Sequence, residues 1–155
     1  MSQIKPRRDR LAKPTPTRSR SRPEGFSRAV REQITDRSSL GAGYRLCELC
    51  CVERAVQIHH RKARGMGGTR DVGTNLAANG IDVCAYCHSI AEGHSIQHPQ
   101  RGWTEVSRAL REAWGWQIPK HGCDEPDEVT VLTAVGRVQL GVDGGKRVID
   151  PNERW

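Results

Sequence analysis

"LCELCCVERAVQIHH", residues 46–60, and "CAYCH", residues 84–88, decide the fold. Each holds a Cys-x2-Cys pair (Cys47 with Cys50, Cys84 with Cys87), and each runs into histidine: His59 and His60 after the first, His88 after the second. A Cys-x2-Cys turn presents two sulfurs from one tight loop, so two such turns surround a Zn2+ ion with four thiolates. The 33 residues between Cys50 and Cys84 exceed the common ribbon spacing, so a further unit sits between the knuckles. The rival reading, a redox dithiol, lacks the βαβ pattern around it. Cys51 and Cys123 fall outside both pairs and read as small buried or half-exposed thiols.

Composition agrees with a metal-supported fold. The chain has 155 residues, only 35% of them apolar and 5% aromatic, a thin supply for a core that stands alone. No apolar run approaches a bilayer span, and the N-terminus shows no apolar signal region. The expectation is a cytoplasmic protein without membrane contact, where six cysteines favour metal over disulfides. Residues 1–22 carry eight Lys or Arg against the single acid Asp9, the whole of the net +7 charge. With four prolines near it and little to bury, segment 1–25 is expected to be a disordered basic arm that attracts polyanions, or else a solubilising tail.

Along the chain, Phe26, Ala29, Val30 and Ile34 recur at helical spacing, predicting a helix over about 26–39. A strand ends at His59–His60, a glycine-rich loop follows over 64–75, and a helix opens at about His88 and stops near Gly93. Another helix is expected over 104–113, and the β-branched tail predicts two or three short strands. The whole reads as an α+β chain: the arm, a domain over 26–118, and a β-rich extension over 119–155.

The order His59–His60, Asn75, His88 inside paired knuckles resembles the HNH nuclease family, in the zinc-knuckle version common in phage genomes. "HHRKARGMGGTRDVGTNL" followed by "CAYCH" carries the likeness, which spans about residues 27–145. It implies a small ββα-metal core with a structural zinc at its base. It also implies a metal-dependent endonuclease or nickase that hydrolyses DNA phosphodiester bonds, phage-encoded and working beside the terminase packaging machinery, with no small-molecule substrate. By the resemblance His59 and His88 hold one catalytic divalent metal (Mg2+, Mn2+, Ni2+ or Zn2+), His60 is the general base, and Asn75 orients it. The family's second helical histidine is replaced here by Glu92, with His94 and His98 following, so the last ligand is Glu92 or His94. The stretch from Asn75 to Cys84 is long for the family, which makes Asn79 an alternative to Asn75.

The chemistry accounts for the residue types independently. Phosphodiester hydrolysis needs an activated water on one side and charge relief on the leaving oxygen. Neighbouring side chains of a strand point to opposite faces, so one of two adjacent histidines can face a metal and the other the substrate. Arg61, Lys62, Arg64 and Arg70 bracket the glycines as phosphate contacts. A different class, a non-catalytic zinc-ribbon DNA-binding protein, would need the cysteines but not the His–Asn–His set. RNA cleavage stays open too, because such a site recognises phosphate and not sugar.

Overall fold

The computed structural model describes residues 25–64, 71–98 and 102–155, so the basic arm and Arg70 lie outside the described residues. Helix α1 spans Arg28–Ser38, and the Ser27 hydroxyl caps it by accepting from the Val30 amide at 3.3 Å. Strand β1 (Gln57–His60) pairs antiparallel with β2 (Gly80–Val83), and helix α2 (Ala85–Ala91) follows at once. The connection between β1 and β2 contains two 3-10 turns, Val72–Asn75 and Ala77–Asn79.

Strand alternation places the β1–β2 hairpin between two helices. Ile58 and His60 face α1, where Phe26, Ile34 and Ala77 form a small apolar cluster. His59, on the other face, points toward α2 and the main core. Gly80, the register partner of His60, leaves the space that Ile34 and Phe26 fill: a Cβ there would meet Ile34 Cδ1 at 2.3 Å. Arg37 of α1 closes this packing with a bidentate pair to Glu48 at 2.8 and 2.9 Å, both side chains buried, and a further bond to the Gly80 carbonyl.

Beyond α2 the chain forms a hairpin, β3 (Ile96–His98) with β4 (Gly102–Thr104), then helix α3 (Arg108–Ala113). The expected helical start at Thr104 is corrected here. Thr104 belongs to β4, and the helix begins where Ser107 caps it by accepting from Leu110 N. Similarly, α2 opens at Ala85 rather than at His88, because Cys84 occupies the N-cap. The tail forms one antiparallel sheet of β5 (Val131–Thr133), β6 (Gly136–Leu140) and β7 (Lys146–Asp150).

These parts share one core. Val131, Val138 and Leu140 of the tail pack in the same cluster as the four knuckle cysteines, Leu49, Ile81, Ile90 and Trp116. The C-terminal Trp155 stands edge-on to Trp116 at 4.9 Å and donates to the Leu49 carbonyl. The architecture is α+β with small sheets, and among the described residues no helix is long and apolar enough to cross a membrane.

Candidate metal centres and their surroundings

The first knuckle, Cys47–Cys50, is a tight turn closed by the Cys51 amide on the Cys47 carbonyl at 2.9 Å, with Cys51 itself at positive φ. The second is the start of α2, where the Cys87 amide donates to the Cys84 sulfur at 3.4 Å. The hairpin brings the two turns together: Glu48 N donates to Asp82 O and Val56 N to Val83 O. All four sulfurs are buried and lie within 4.8 Å of one another. Tetrahedral Zn–S bonds of about 2.3 Å put neighbouring sulfurs about 3.8 Å apart, so the cluster has the right dimensions. Its proton chemistry also suits a cation. The Cys47 thiol, as a hydrogen-bond partner, pulls Cys50 far below the usual thiol range and Cys84 down to about 7, while Cys50 and Cys47 push Cys47 and Cys87 up in turn. Sulfurs held this close cannot each keep an ordinary proton, a donor set that suits a divalent ion.

A second group of ligand atoms lies at the seam of β1 and α2. His59, His88 and Glu92 each place one donor atom within 4.8 Å of the others. Nδ1 of His59 is 3.0 Å from Oε1 of Glu92, and Nε2 of His88 is 3.7 Å from the same oxygen. The spacing follows from the helix, since His88 and Glu92 are one turn apart on one face. His59 draws the Glu92 carboxyl below its usual range, and burial lowers His88. His94 is not part of this set. The turn at Gly93 (φ +87°) carries it to the surface, its amide held by Ser89 O. His98 sits in β3 with its ring edge-on to Tyr86 at 4.7 Å.

His60, on the opposite face of β1, is half-buried under Phe26, and its Nε2 is buried without a hydrogen-bond partner among the described residues. Burial first, then the charge of Arg64, His59 and Arg31, lowers its pKa to about 4, so the ring is neutral at pH 7. Asn75 ends the first 3-10 turn, its Oδ1 likewise buried and without a partner among the described residues. The loop-bridging bonds belong to Asn79. Fully buried, it accepts from Lys62 N at 2.7 Å and donates to the carbonyls of Lys62 and Thr74. Asn79 was legible in sequence as the alternative asparagine; its partners were not.

Two of the expected phosphate contacts are corrected. Arg61 is fully buried and donates to the carbonyls of Gly115, Ala78, Pro126 and Val129 at 2.6 to 3.0 Å. Lys62 is buried too, its ammonium 3.0 Å from Asp71 and bonded to Asp124 O. Both follow β1 in the chain, and the segments at 115–118 and 124–129 close over them, so neither side chain is available to a polyanion. Arg64 is half-buried beside His60. Trp116, which the sequence did not mark, reaches the site through its carbonyl, 2.9 Å from Nε2 of His59. Compared with protein families, curated proteins and solved structures, the chain finds no match.

Proposed function

We propose that this protein is a metal-dependent endonuclease or nickase of the HNH type, hydrolysing DNA phosphodiester bonds, with a structural zinc on Cys47, Cys50, Cys84 and Cys87. The observation that carries the reading is the convergence of His59, His88 and Glu92 at the hairpin–helix seam, with the neutral His60 on the reverse of the same strand. In this reading His59, His88 and Glu92 would hold one divalent cation, which would supply charge relief to the phosphate and its leaving oxygen. His60 accepts the proton of the attacking water. A phosphate beside it offsets the cations of Arg64 and Arg31 and raises its proton affinity toward neutrality. Asn79 holds the turn between β1 and β2, and so the course of the chain on either side of the base. The expected phage origin and packaging role stay with the family resemblance and belong to the same proposal.

Two observations favour a second reading, a zinc-ribbon DNA-binding protein without catalysis: Phe26 covers one face of His60, and Arg61 and Lys62 are used internally. Supercoiled plasmid separates the two. Incubated with the purified protein and Mg2+, Mn2+, Ni2+ or Zn2+, it is expected to become nicked or linear, and EDTA is expected to stop the reaction. Binding without cleavage under every metal would leave the ribbon reading.

A further inference from the structure

We propose that Arg61 is a positioning residue for the His59–His88–Glu92 group: it clamps the Gly115–Trp116 turn so that the Trp116 carbonyl fixes the hydrogen of His59 on Nε2 and leaves Nδ1 as the ligand atom. The inference deepens the nuclease reading and rests on it for the metal, but not for the state of the ring.

Nε2 of His59 lies 2.9 Å from a carbonyl oxygen, which has no hydrogen to give, so Nε2 carries the N–H. Nδ1 then points at Glu92 Oε1, 3.0 Å away, with His88 Nε2 3.7 Å from that oxygen. A ring nitrogen lone pair and a carboxylate lone pair face each other at that distance only across a positive charge, a proton or a metal ion. The ring is therefore aimed with its donor atom into the ligand group by a bond on its far side, the usual second partner of a ligating histidine.

Trp116 lies in the turn after α3, outside the ββα unit. Arg61 brackets the carbonyl from both sides: its Nε donates to Gly115 O at 2.7 Å, and its own carbonyl accepts from Ile118 N at 2.8 Å. Its remaining donors hold Ala78 O, Pro126 O and Val129 O, which fix the guanidinium itself. Gly115 stands at φ +67°, and a Cβ on it would lie 1.9 Å from Thr130 O and 3.2 Å from Arg61 Nη2, so the backbone passes against the guanidinium with no room to spare. Arg61 is two residues from His59 on the same face of the chain, and both side chains reach the same turn. A lysine ammonium cannot reproduce a planar fork that serves four carbonyls.

The test uses the full-length chain with its cysteine site loaded with zinc. Long-range 1H–15N spectra of the histidine rings at pH 8.5 report which nitrogen of His59 bears hydrogen, and calorimetry with Mn2+ reports affinity at the second group. In wild type His59 is expected to carry hydrogen on Nε2, with or without a second proton between Nδ1 and Glu92. In Arg61→Lys and in Gly115→Ala, whose Cβ pushes the turn off Thr130 O and crowds Arg61 Nη2 as well, a share of ring without hydrogen on Nε2 is expected. Mn2+ binding should weaken about 10- to 100-fold in both, with zinc content and the amide spectrum of the core kept. A wild-type His59 with no hydrogen on Nε2 overturns the proposal even if neither variant folds. So does a folded Arg61→Lys protein with unchanged ring state and unchanged Mn2+ affinity, which makes Arg61 a packing residue only. If wild type binds no Mn2+ yet holds its hydrogen on Nε2, and the variants lose that preference, the positioning role stands and the metal-nuclease reading fails.

Discussion

The ring of Phe26 lies flat on the ring of His60, centroids 3.9 Å apart and planes within 5°. This stack, with the cations of Arg64 and Arg31 nearby, sets the proton chemistry of the residue proposed as the base. A histidine in an unfolded chain titrates near pH 6.5, whereas His60 in the fold is pushed down to about 4. Its folded-state value is depressed, so its contribution to stability is complete above about pH 6.5 and is lost progressively as pH falls through the window toward 4. Urea unfolding of wild type and His60→Asn at pH 7.5, 5.5 and 4.5 is expected to show wild type losing ground against the variant as pH drops. A constant difference across those pH values contradicts the assignment.

His60→Ala and His88→Ala should fail in different ways. Loss of a general base lowers cleavage by on the order of 10²- to 10⁴-fold, and His60→Ala should do so with zinc content and DNA binding intact. His88→Ala removes a ligand, so raising Mn2+ is expected to restore part of its cleavage. Plasmid nicking rates across an Mn2+ series separate the two, and the assignment fails if His60→Ala cleaves like wild type throughout.

Glu92 and His94 make opposite predictions at the second metal. Glu92 lies 3.0 Å from His59, while His94 stands at the surface beyond the Gly93 turn. Glu92→Gln should raise the Mn2+ concentration needed for half-maximal cleavage about 10-fold or more, and His94→Ala should leave it unchanged. The reverse pattern means that the chain beyond Gly93 folds back onto the site in solution.

Cys47→Ser or Cys87→Ser should abolish the cooperative fold. A structural zinc contributes about 10 to 16 kcal/mol to the folding of small zinc modules, and a domain of this size stands only about 5 to 15 kcal/mol above its unfolded state. Wild type should retain one zinc per chain through mild EDTA, measured by elemental analysis. A zinc-free protein that melts cooperatively contradicts the site.

Deleting residues 1–22 should act on affinity and not on chemistry. Each phosphate that the arm neutralises contributes about −0.9 to the slope of log affinity against log salt. The truncated protein is expected to bind DNA more weakly with a flatter slope, and to cleave at the same rate when saturated. Fluorescence anisotropy over a salt series reads the slope, and an unchanged slope means that the arm does not contact DNA.

Local chemistry made much of this molecule legible in its sequence. Two Cys-x2-Cys turns announce a four-sulfur cluster of metal-binding dimensions because the spacing alone brings each sulfur pair together. The helix at Arg28–Ser38, the strand into His59–His60 and the β-rich tail follow from apolar periodicity and turn residues, which act over a few positions. The opposite-face placement of His59 and His60 is likewise a property of any strand, and His88 with Glu92 of any helix. What the tertiary structure alone decided depends on which distant backbone lies beside a side chain. Arg61, basic and next to glycines, reads as a phosphate contact until the turns at Gly115 and Val129 close over its guanidinium, 54 and 68 residues away along the chain. Asn79 outranks Asn75 as the loop bridge because Lys62 and Thr74 come to lie on either side of its amide. The carbonyl of Trp116 carries no residue-type signal at all, since every residue has one, and only folding brings this one to His59.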